Sequence, residues 1–133
     1  METASARPIF VISDSTGETA EKLLQAVLSQ FSVVKPKVLR KIYVRTEIQI
    51  KEIVKEARGK EGIILFTFVS EILRNVMREE ALKTGLLAVD LLGPLLTAMS
   101  YFFGTMPQST PGLLHRIDTD YFSRIEAVQY TVK

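Results

Sequence analysis

The chain has 133 residues, the length of one domain, and 47% of them are hydrophobic, enough to bury a core. Seventeen basic and fifteen acidic residues leave a formal charge of +2 with no basic block able to follow a phosphate backbone, which argues against nucleic-acid binding. There is no cysteine, which removes disulfides, thiolate metal sites and thiol nucleophiles and suits a cytoplasmic protein.

Residues 1–7 lack the basic-then-apolar layout of a secretory signal and are expected to form a flexible tail. Ile9-Phe10-Val11-Ile12 is a continuous apolar run, the pattern of a strand covered on both faces. From Glu18 to Phe31 the apolar positions Ala20, Leu23, Leu24, Val27, Leu28 and Phe31 recur at helical spacing. Pro36 closes the connection, and Val38 to Val44 reads as a second strand whose mixed polarity suggests a sheet edge. There Val38, Arg40, Ile42 and Val44 are expected on one face, with Leu39, Lys41 and Tyr43 on the other. Ile48 to Ala57 returns to helical period, Ile63 to Phe68 forms a third strand, and Glu71 to Lys83 a third helix ending at Gly85.

Leu86 to Val89 supplies a fourth strand, and Gly93-Pro94 opens a helix running to Phe103 and closed by Gly104. The apolar stretch Leu86 to Phe103 approaches the length of a membrane span. Asp90 and Gly93-Pro94 interrupt it, so a buried strand followed by a helix is the better reading. Beyond Pro107 and Pro111-Gly112, residues 118–132 could form a last helix with Tyr121, Phe122, Ile125 and Val128 on one face. Strands alternating with helices predict an α/β domain over residues 8–104: a doubly wound, Rossmann-like, four-stranded parallel sheet, with order 2-1-3-4 by analogy.

The loop Ser13-Asp14-Ser15-Thr16-Gly17-Glu18-Thr19 falls between the first strand and the first helix, at the edge where such sheets bind ligands. The hydroxyls of Ser13, Ser15, Thr16 and Thr19 and the backbone around Gly17 are candidates for holding phosphate or another anion. The same residues admit a ligand-free reading. Ser15 stands three residues before Glu18, the spacing of a capping box, and Asp14 and Glu18 set negative charge beside a bound anion. No G-x-x-x-x-G-K-[ST] loop occurs in the chain. Near the other end, His115 and Asp118 form a weak base-and-orienter pair, and Arg116 and Arg124 are candidate phosphate or partner contacts. The plainer alternative is a helix cap at Asp118 with His115 and Arg116 in solvent. One histidine among scattered carboxylates makes no metal-ligand set.

Ser13-Asp14-Ser15-Thr16-Gly17-Glu18-Thr19-Ala20-Glu21 after a buried strand resembles the opening signature of the regulatory proteins of pyruvate, phosphate dikinase and phosphoenolpyruvate synthase. The likeness continues through residues 26–31, Gly62 to Thr67, Asp90 to Leu95, and Pro111-Gly112 to Ala127. It implies an ADP-dependent serine/threonine kinase that modifies a threonine of the dikinase or synthase, and a phosphate-dependent reverse activity that releases pyrophosphate. In the family those activities belong to a later domain carrying a phosphate loop. Residues 105–133 are therefore expected to lead toward a kinase domain outside this sequence, and the isolated chain is expected to be inactive. The resemblance leaves this stretch without catalytic residues or a cofactor of its own, ADP and phosphate being substrates of the whole protein. Its implied partners are the dikinase or synthase, the kinase domain and a second copy of the chain. Two alternatives stay open: a stand-alone phosphate- or nucleotide-binding module, and a flavodoxin-like FMN protein. For the latter, Thr16-Gly17-Glu18-Thr19 matches the T-G-x-T phosphate loop, but Asp14 stands where a hydroxyl is expected.

Overall fold

A computed structural model describes residues 7–32 and 35–108. The elements alternate in chain order: β1 (Ile9–Ser13), α1 (Glu18–Leu28), β2 (Val38–Lys41), α2 (Glu47–Gly59), β3 (Ile63–Thr67), α3 (Glu71–Thr84), β4 (Ala88–Asp90) and α4 (Gly93–Phe103). The strands form one parallel sheet, as the βαβ alternation predicts, in the order β2-β1-β3-β4 expected by analogy. The register pairs Ile9 with Val38 and Ile63, and Ile64 with Ala88. The predicted last helix over residues 118–132 lies outside the described residues.

Side chains alternate across the sheet, as the period of two requires. Phe10, Ile12, Ile64 and Phe66 point to one face and pack with Ile50, Val54 and Ala57 of α2 and with Leu73 and Met77 of α3. Val11 points the other way, against Ala20 and Leu24 of α1, with Ile9, Val38 and Leu65 at the margin. The second layer is thinner. Leu23, Val27 and Phe31 remain exposed on the α1 side, and α4 buries only Gly93 while exposing Leu95, Met99, Phe102 and Phe103.

Strand β4 spans Ala88–Asp90 with Val89 exposed rather than forming a buried strand over Leu86 to Val89, and α1 ends at Leu28 rather than Phe31. Two further expectations fail, each for a local reason. Strand β2 ends at Lys41 rather than Val44, because Tyr43 adopts a positive φ of 53° and turns the chain. That turn shifts the alternation by one, so Val44 joins Leu39, Phe10 and Ile12 in the larger core instead of sharing a face with Val38. The Ser15 to Glu18 capping box does not form. The N-cap of α1 is Gly17, with φ 82° and no side-chain cap. A capping box forms instead at α2, where Thr46 Oγ1 accepts from the Gln49 N–H at 3.2 Å and Gln49 Oε1 accepts from the Thr46 N–H at 3.0 Å.

Candidate functional site

The carboxyl ends of the four strands lie at one edge, and the loops that leave them enter α1, α2, α3 and α4 there. Ser13, Asp14 and Ser15 sit at its centre because β1 is an inner strand, and all three are buried. Their backbone is tied to both neighbours. Ser13 and Ser15 carbonyls accept from the Val44 and Tyr43 N–H groups, each at 2.9 Å, while Asp14 N–H donates to the Thr67 carbonyl at 3.4 Å. Ser13 Oγ accepts from the Ser15 N–H at 2.9 Å, a short turn that fixes the loop's path.

Asp14 is a structural link as well as a charge. Its Oδ2 accepts from the Val69 N–H at 3.0 Å, so the carboxylate joins the loops that follow β1 and β3. Burial raises its pKa above the ordinary value of 3.8, with the backbone N–H groups of Val69 and Ser70 and the Arg45 charge pulling the other way. Arg45 Nε donates to the Asp14 carbonyl at 3.0 Å, and its guanidinium lies 5.7 Å from the centre of the Tyr43 ring. Arg45 thus brings a cation to the loop from α2's entry.

Of the residues that the sequence singled out, Ser13, Ser15, Thr16, Gly17 and Thr19 are contiguous in this loop and the first turn of α1. Ser15 Oγ is buried and makes no hydrogen bond among the described residues. Gly17 holds a left-handed conformation, and a Cβ there would lie 3.4 Å from Ile42 Cγ2. This backbone would strain any other residue. His115, Arg116, Asp118 and Arg124 lie outside the described residues. No group of carboxylates and histidine able to hold a metal occurs among the described residues. No described helix is long and apolar enough to cross a membrane.

Several polar residues at this edge escaped the sequence reading. Arg45 sits in a short linker just before the Thr46–Gln49 capping box, and only the fold brings it to the loop. Arg74 falls on the apolar stripe of α3 beside Leu73 and Met77, and a charge in that position was a legible anomaly. Asp90 precedes Leu91-Leu92-Gly93, where it accepts from the Leu92 and Gly93 N–H groups at 3.1 and 2.7 Å and so closes the turn into α4.

The fold and this loop define a Rossmann-like α/β domain with a hydroxyl-rich turn at the carboxyl edge of its sheet, the class in which phosphate-bearing ligands bind at helix starts. The family model described as kinase/pyrophosphorylase matches residues 9–133. The chain belongs to that family, which displaces the flavodoxin alternative. It is similar to proteins assigned as pyruvate, phosphate dikinase regulatory proteins. The one from Trichlorobacter lovleyi is 46% identical over 127 residues, 96% of this chain and 47% of the relative. Those from Geobacter metallireducens and Pelobacter propionicus are 43% and 45% identical, covering 97% and 93% of this chain and 48% and 44% of theirs. The chain therefore spans about half the length of the curated relatives it matches.

Proposed function

We propose that this chain is the α/β half of a cytoplasmic regulator of pyruvate, phosphate dikinase or phosphoenolpyruvate synthase, and that its Ser13–Thr19 loop holds a phosphoryl or other anionic group during recognition. The parent activities follow from the family: an ADP-dependent serine/threonine kinase opposed by a phosphate-dependent pyrophosphorylase. Their partners would be the target enzyme, a kinase domain with its own phosphate loop, and a second copy of the chain. The observation that carries the role of the loop is the start of α1, where a left-handed glycine replaces a side-chain cap next to a buried Ser15 hydroxyl that makes no hydrogen bond among the described residues. A helix start without a side-chain cap attracts anions, and an unpaired buried hydroxyl carries a cost that a bound oxyanion would relieve. Asp14 opposes this charge, and Arg45, whose Nε donates to the Asp14 carbonyl, adds a compensating cation.

The test is a titration of the 15N-labelled chain with inorganic phosphate and pyrophosphate at constant ionic strength. The amide signals of Gly17, Glu18 and Thr19 should shift saturably, and Ser15→Ala should weaken the binding about tenfold while leaving the spectrum otherwise native. Loop amides that stay still at saturating ligand would remove the anion-binding role.

A further inference from the structure

A second concavity opens at the same edge of the sheet, between the first turns of α3 and α4, and it shares no residue with the Ser13–Thr19 loop. Its volume is about 570 Å³, and Glu71, Arg74, Asn75, Arg78, Gly93 and Thr97 are among the residues that line it. Arg74 is 5% exposed. A guanidinium so deep must be paired, and Arg74 Nη1 donates to the carbonyls of Phe68 and Val69 at 3.0 and 2.9 Å. Its Nε lies 4.0 Å from Asp90 Oδ2, and Arg78 Nη1 lies 3.1 Å from that same oxygen.

Two guanidiniums therefore converge on one carboxylate oxygen, while the other oxygen of Asp90 is occupied by the backbone N–H groups that open α4. One monoanion faces two cations. Glu71 stands exposed at the rim and forms no ion pair among the described residues. Gly93 makes this closeness possible, since a Cβ there would collide with the Asp90 carboxylate and lie 2.9 Å from Arg74 Cδ. Arg78 is half exposed and already oriented, with Nη2 donating to Asn75 Oδ1 at 2.5 Å. It spends two of its five N–H donors on Asp90 and Asn75, and a guanidinium fixed in advance loses little freedom on meeting a ligand. The starts of α3 and α4 add positive partial charge, and the exposed Thr97 supplies a hydroxyl.

We propose that this cavity binds a phosphate dianion, gripped by Arg78 and Thr97 and stabilised by the charge of Arg74 behind them. The site stands apart from the loop after β1 and does not depend on that loop's role.

The experiment follows the Arg78 side-chain Nε–H signal and the Thr97 amide of the 15N-labelled chain during titration with inorganic phosphate, at ionic strength held constant with sodium chloride. Both should shift saturably. Arg78→Gln should weaken phosphate about tenfold or more, and Thr97→Glu, which places a carboxylate at the exposed rim without touching the core, should abolish the shifts. Ser15→Ala should leave this affinity unchanged, separating the two sites. Methyl phosphate, titrated in parallel, distinguishes the source: tighter binding of the ester marks a phosphorylated group, and tighter binding of phosphate marks the free ion. Unchanged affinity in both Arg78→Gln and Thr97→Glu, or shifts confined to residues 13–19, would overturn the proposal.

Discussion

Asp14 carries its carboxyl group into the interior to hold Val69, and burial favours the neutral form there. A carboxyl whose pKa is raised on folding binds its proton more tightly in the native state, so stability falls as pH rises from the ordinary value of 3.8 through the raised native one. Asp14→Asn keeps an acceptor for the Val69 N–H and removes the titration. The stability of Asp14→Asn relative to the parent chain should therefore increase with pH across that window and level off above it, as urea unfolding at a series of pH values would record. A relative stability that falls with rising pH would show that hydrogen bonding to the charged carboxylate, rather than its burial, dominates. Gly93 is equally constrained, by the carboxylate of Asp90 and the stem of Arg74. Gly93→Ala should cost several kcal/mol, on the order of 3, because neither neighbour can retreat without unpairing a buried charge. Thermal unfolding that is unchanged in this variant would mean that the α4 start adapts freely.

At the scale of elements, helix starts are closed by different devices. Thr46 and Gln49 cap α2 reciprocally, Ser70 Oγ accepts from the Leu73 N–H at α3, and Asp90 serves α4 from the strand before it. Only α1 begins on a left-handed glycine. Thr46→Ala should lower stability by about 1 kcal/mol, read as an earlier urea midpoint with an unchanged slope. The T-x-x-Q spacing at Thr46 and the S-x-x-E spacing at Ser15 look equivalent in the sequence, and they have opposite outcomes. At Ser15 the chain is already committed to hydrogen bonds with Tyr43 and Ser13, which carry it past the cap geometry. The Ser13 turn is local, but the bond to Tyr43 comes from the segment that follows β2, and no pattern within the loop encodes it.

For the whole molecule, the apolar runs and their helical or alternating periods were enough to place four strands and four helices in order, and right-handed crossovers leave few sheets compatible with them. The chain spans about half of its relatives' length and contains no lysine-bearing phosphate loop of the G-x-x-x-x-G-K-[ST] kind. Phosphoryl transfer depends on positioning and on charge stabilisation that such a loop provides. Under the proposed function, incubation of this chain with ADP, magnesium and pyruvate, phosphate dikinase should leave the dikinase without new phosphothreonine by mass spectrometry, and its appearance would place catalytic machinery within these 133 residues. The sequence by itself determined the succession of strands and helices, the edge position of β2 and the hydroxyl loop after β1, because these follow from local period, composition and chain connectivity. Tertiary structure alone decided that Val44 turns inward, that Ser15 is no cap, and that Arg45 reaches Asp14 while Arg74 and Arg78 converge on Asp90. Each of these arises between segments distant in the chain, where burial and charge pairing depend on what the fold brings alongside.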